Sequence, residues 1–108
     1  MKPLNPKLQK CIDDCNACVT AARICLDRHL GEPDMKKCHE SCLDCIALST
    51  ACVQLLAGRS DYSKRLCAIC ADLCRACADE CAKFDSEVCQ QCAEKCRACA
   101  ESCKEMAA

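Results

Sequence analysis

The sequence predicts an all-α protein, an antiparallel up-down-up-down four-helix bundle with a cysteine-lined core. Three observations carry this reading. The 18 cysteines of the 108-residue chain recur three and four residues apart, the heptad seam of an α-helix. The run CAICADLCRACADEC shows this best, with thiols at Cys67, Cys70, Cys74, Cys77 and Cys81. Residues so spaced are neighbours on one helix face, with Cβ atoms about 5–6 Å apart, so all five thiols leave the same side. Finally, Gly31, Pro33 and Gly58, with the cap residues Asp85 and Ser86, divide the chain into four segments of similar length.

Taken in order, Asn5 followed by Pro6 reads as N-cap and first helical residue. Helix one then covers roughly 6–30, where Gly31 suits a C-terminal stop. Pro33 opens helix two, roughly 33–57, which ends before Gly58. Ser60 or Asp61 caps helix three, roughly 61–84. Asp85 or Ser86 caps helix four, roughly 86–106, with Glu87 favoured by the positive end of the helix dipole. At ~1.5 Å per residue each helix is roughly 30–35 Å long. The short connections make sequential helices antiparallel neighbours, and residues 1–108 read as a single domain.

The cysteines repeat inside this frame. Helix one carries Cys11, Cys15, Cys18 and Cys25, and a shift of 27 residues gives Cys38, Cys42, Cys45 and Cys52. The five thiols of helix three, shifted by 22, give Cys89, Cys92, Cys96, Cys99 and Cys103. CRACADEC at 74–81 and CRACAESC at 96–103 nearly coincide. Completing the seam leaves two gaps, Ala22 and Ser49, expected beside Cys42 and Cys15 respectively. A second apolar stripe comprises Leu8, Ile12, Val19, Leu26, Ile46, Val53, Leu66, Ile69 and Leu73. It either widens the core or forms part of a subunit interface, which periodicity alone does not separate.

Composition narrows the function classes. A net charge of −1, from 15 basic and 16 acidic side chains, gives no basic patch for nucleic acid. Tyr62 and Phe84 are the only aromatics, too few to stack bases. The N-terminus lacks the apolar run of a signal peptide, and no apolar stretch is expected to reach membrane-spanning length. The expected compartment is therefore the cytoplasm, where thiols stay reduced and dense cysteine more often means metal.

Inward thiols admit several readings. Cysteine is a small hydrophobe, but a seam built from it is under-filled, at a cost on the order of 1 kcal/mol for each methyl-sized void. Disulfide staples suit an even cysteine count, yet nine exceed what a bundle needs and no export signal is seen. Zinc takes tetrahedral sites, usually pairs of ligands joined across a loop, and iron–sulfur runs end in Cys-Pro, which does not occur here. Cu(I) fits better. It is soft and selects thiolate, it accepts two or three ligands, and one ion per thiolate leaves a narrow interior neutral. Capacity would approach about one copper per cysteine. No nucleophile–base pair or phosphate loop suggests an enzyme. A zinc or cadmium buffer of metallothionein type and a disulfide-stapled structural bundle remain the alternatives.

From CAICADLCRACADEC through CQQCAEKCRACAESCKEMAA, residues 67–108, and less strongly in the first two helices, the chain resembles the cytosolic copper storage proteins. That resemblance implies a four-helix bundle whose interior cysteines hold many Cu(I) ions, assembly into homotetramers, and a storage role that limits copper toxicity. Exchange with a copper chaperone or chelator would complete the partner list, without nucleic acid or membrane. The family tends to carry histidine or methionine at one mouth of the bundle. Here the connection KFDSEV offers neither, and the candidates at that end are His29, Met35 and His39. Met35 continues the helix-two seam and also reads as core filler, while the two histidines also read as surface residues. Met106 extends the helix-four seam at the opposite end, as a plug.

Overall fold

The computed structural model describes residues 4–108. It contains α1 (Pro6–Arg28), a 3-10 turn (Pro33–Met35), α2 (Lys36–Ala57), α3 (Ser63–Cys81) and α4 (Glu87–Ala107), with no strand among the described residues. The Asn5 side chain accepts a hydrogen bond from the Lys7 backbone N–H at 2.9 Å, with Pro6 next to it, so α1 starts as a capped helix. Gly31 takes the left-handed φ of +89° that reverses the chain after α1.

Cross-helix pairs give the directions. Cys11 and Cys103 meet at 3.8 Å and Cys25 and Cys89 at 3.5 Å, so α1 and α4 run antiparallel. Cys38 lies 3.5 Å from Cys81, and Ser49 3.5 Å from Cys70, which does the same for α2 and α3. For α3 and α4 the pairs are Cys81 with Cys92 at 3.5 Å and Cys74 with Cys99 at 3.6 Å. Ala71, Ala78, Ala93 and Ala100 are all buried, and these small residues bring α3 and α4 close together. On the surface, Asp79–Arg97 and Lys37–Glu80 ion pairs join α3 to its two neighbours.

Helix ends differ from the sequence reading where side chains capture the backbone. α1 stops at Arg28 rather than near residue 30. α3 begins at Ser63 because the Ser60 hydroxyl accepts from the Tyr62 N–H at 3.1 Å and Ser63 Oγ donates to the Leu55 carbonyl at 3.0 Å. Arg59, not Gly58, takes the left-handed conformation in this corner, at φ 54°. α3 ends at Cys81 instead of Phe84, since the Gln90 amide donates to the Ala82 and Phe84 carbonyls at 3.3 and 2.6 Å. Those carbonyls thereby find partners outside the helix ladder.

Two further expectations are corrected. The segment Pro33–Ala57 is long and apolar enough, by length and composition, to cross a membrane. Its hydropathy comes mainly from Leu43, Ile46, Leu48, Val53, Leu55 and Leu56, with Cys42, Cys45 and Cys52 adding to it, while Lys36, Lys37, Glu40 and Asp44 are exposed. The flanking stripe is also not one surface. Leu8, Ile12 and Leu26 are buried, Val19, Ile46, Val53, Leu66 and Leu73 are half-buried, and Ile69 is 58% exposed.

Candidate metal centre

The heptad spacing brings all 18 cysteines inward, and each is buried and free. Ala22 and Ser49 are buried with them, completing the seam. Ser49 meets Cys70 and Cys99, two of the thiols grouped with Cys15, so it shares Cys15's layer without a direct contact of its own.

The sulfurs form three connected sets. Towards the α1 N-terminus, Cys15, Cys70, Cys99 and Cys103 lie within 4.8 Å of one another, as do Cys11, Cys67 and Cys103. In the middle, Cys45 belongs both to a group with Cys18 and Cys74 and to one with Cys77 and Cys96. Towards the mouth, Cys25, Cys42, Cys81 and Cys92 form another four-thiol group. The sets touch through Cys70 and Cys74 at 3.6 Å, and through Cys92 and Cys96 at 3.9 Å. The shortest sulfur contact is Cys18 to Cys45 at 3.1 Å. A continuous sulfur column therefore runs along the bundle axis.

Electrostatics inside this column are set by the thiols themselves. Burial pushes the Cys89 thiol up. Hydrogen bonds with Cys42 and further thiols, with burial, do the same for Cys77, and those with Cys11 and others for Cys103. Cys45, Cys70 and Cys92 are held down, each by thiols that donate to it, led by Cys18, Cys103 and Cys25 respectively. Deprotonation thus falls first on sulfurs ringed by donors. Among the described residues, the buried polar side chains are Ser49 and Ser102 alone, so the interior supplies no cation to balance thiolates. Only bound cations can do that.

At the mouth, the candidates behave differently from one another. Met35 is 2% exposed and closes the end of the α2 row. His29 has both ring nitrogens engaged, Nδ1 with Glu32 at 3.1 Å and Nε2 with the Ser86 hydroxyl at 2.8 Å. His39 is half-buried, and its Nε2 is buried without a hydrogen-bond partner. Three polar links were not legible in the sequence: His29 to Ser86, Gln90 to the α3 terminus, and Asp14 to Ser102. In the last, Ser102 Oγ donates to Asp14, with Lys10 reaching both at 2.7 and 3.2 Å. His29 and Ser86, like Asp14 and Ser102, lie too far apart in the chain for a spacing rule to join them.

A helical bundle with a shared sulfur column and no internal cation defines a class of protein, a thiol-lined reservoir for soft cations. The chain belongs to the copper storage protein family, whose sequence pattern matches residues 4–108. Metal-free copper storage protein 3 from Bacillus subtilis is 36% identical, superposes with a TM-score of 0.88, and aligns over 93% of this chain and 98% of its own. The Cu(I)-bound copper storage protein BsCsp3 gives 35% identity, a TM-score of 0.90, and coverage of 94% and 99%. A cytosolic copper storage protein from Streptomyces lividans, carrying five coppers, gives 34% identity, a TM-score of 0.88, and coverage of 94% and 92%. No curated protein sequence matches the chain.

Proposed function

We propose that this protein stores Cu(I) in the cytosol, holding many ions on its core thiolates and so limiting copper toxicity. The observation that carries this is the sharing of Cys45 and Cys103 between neighbouring thiol groups. Isolated tetrahedral sites need separate ligands, whereas Cu(I), with two or three thiolates, is served by bridging sulfur. The ligands are all 18 cysteines, with capacity up to about one copper per cysteine, which leaves the interior neutral.

The role is storage rather than catalysis, in keeping with thiols that are all buried and much alike. Residues 1–108 act as one domain. Metal enters at the end that holds His29, Met35 and His39, where Met35 and the unpartnered His39 Nε2 are the mouth ligands. Family resemblance supports a homotetramer, for which the exposed Ile24, Leu43 and Ile69 supply apolar surface. A copper chaperone or small chelator exchanges metal at the mouth.

The test is an anaerobic titration of the reduced protein with Cu(I) against a strong competing chelator, with zinc in parallel. An endpoint near one copper per cysteine, with helical circular dichroism before and after, is expected. Saturation at a few ions, or zinc retained against copper, overturns the assignment in favour of a zinc buffer.

A further inference from the structure

Ser49 is the one seam position that carries a hydroxyl, and its surroundings are unlike those of other hydroxyls on these helices. Thr20 and Thr50, both exposed, turn back on their own backbone, donating to the carbonyls of Asn16 and Ile46 at 3.0 and 2.6 Å. Ser49 is fully buried and reaches sulfur instead: Cys70 at 3.5 Å, Cys74 at 3.6 Å, Cys45 at 3.8 Å and Cys99 at 4.0 Å. Cys70 to Cys74 and Cys74 to Cys99, each 3.6 Å, are the contacts that join the end set of thiols to the middle set. The hydroxyl therefore sits at that joint.

Its oxygen is a hard donor that Cu(I) passes over for thiolate. Its proton acts differently. Each copper taken up replaces a thiol proton, which leaves to solvent, and the sulfurs around Ser49 become acceptors only. The hydroxyl is then the side-chain donor at the joint, and a hydrogen bond to a charged acceptor in a dry interior is a strong one. It is stronger to a copper-bound thiolate than to the thiol of the metal-free protein, so it favours the loaded state.

We propose that Ser49 is a positioning residue for the stored metal. By hydrogen-bonding the joint thiolates it makes copper there harder to withdraw than it would be beside an apolar residue. This rests on the copper reading above.

The wild type, S49A, S49T and S49C are loaded anaerobically with Cu(I), challenged with increasing chelator, and weighed by native mass spectrometry. The wild type is expected to resist the chelator as one population. S49A keeps the same capacity but yields a minor fraction about tenfold more readily, the effect of losing one charge-assisted hydrogen bond. S49T keeps the hydroxyl and matches the wild type. S49C gains about one copper, its thiolate taking the place of the hydroxyl. Equal chelator resistance in the wild type and S49A overturns the proposal, as does a labile fraction in S49T, which keeps the hydroxyl and decides the matter if S49A does not fold. A wild type that loads only a few ions overturns the storage reading itself, an outcome distinct from both.

Discussion

His29 Nε2 lies 2.8 Å from Ser86 Oγ, so the end of α1 is fastened to the residue that opens α4. Ser86, at the N-cap of α4, makes no side-chain capping hydrogen bond to its own helix. The fastening spans the mouth beside the Cys25–Cys89 pair, 3.5 Å apart.

His29→Ala should therefore loosen the mouth without removing a core thiol. The expected result is faster Cu(I) uptake and release in stopped-flow mixing with unchanged capacity. Loss of its bonds to Ser86 and Glu32 costs the metal-free fold about 1–2 kcal/mol in chemical denaturation. Unchanged rates would show that metal passes elsewhere.

Cys45→Ser and Cys52→Ser should differ. Cys45 belongs to two thiol groups, and Cys52 lies outside every group of three or four. We expect the first substitution to remove about two coppers or more and the second about one. Native mass spectrometry at saturating copper reads the difference directly, and equal losses would argue that ions do not share Cys45.

Ser102→Ala removes the donor that Ser102 offers to the Asp14 carboxylate between α4 and α1. Ser102 is buried, so the metal-free protein should lose about 1 kcal/mol of stability, with copper capacity intact. Equilibrium denaturation alongside a copper titration checks both halves.

The thiols also set a pH dependence. Cys77, Cys103 and Cys89 keep their protons above the ordinary value of 9.0, through neighbouring thiols for the first two and burial for the last. An unfolded chain releases those protons near 9.0, so the stability they contribute is complete below that pH and lost as pH rises through the folded values. Thermal midpoints of the metal-free protein should fall as pH rises above about 9. Copper-loaded protein, with no thiol proton left to lose, should show little change over the same range.

Much of the bundle and its lining was legible because cysteine does two jobs in this chain. Its three-and-four spacing marks the buried face, so Cys67 to Cys81 announce both a helix and a sulfur row. Even the gaps at Ala22 and Ser49 could be read from the broken repeat. What escaped are contacts made at and across the turns. Gln90 shortens α3 from across a turn, and Ser60 delays it from before its start. The sequence reading misjudged α2, where Leu43, Ile46, Leu48, Val53, Leu55 and Leu56 help make Pro33–Ala57 long and apolar enough, by length and composition, to cross a membrane. It also misjudged Ile69, which continues an apolar row yet stands in the open.

Because every thiol is buried, the metal-free chain carries a built-in clock for its own breathing. A bulky alkylating reagent reaches sulfur only when a helix swings aside, so labelling rates report local opening rather than thiol reactivity. Cysteines held by α3 and α4, where Ala71, Ala78, Ala93 and Ala100 pack closely, should be tagged last. The order of tagging would trace the route by which the closed bundle first comes apart.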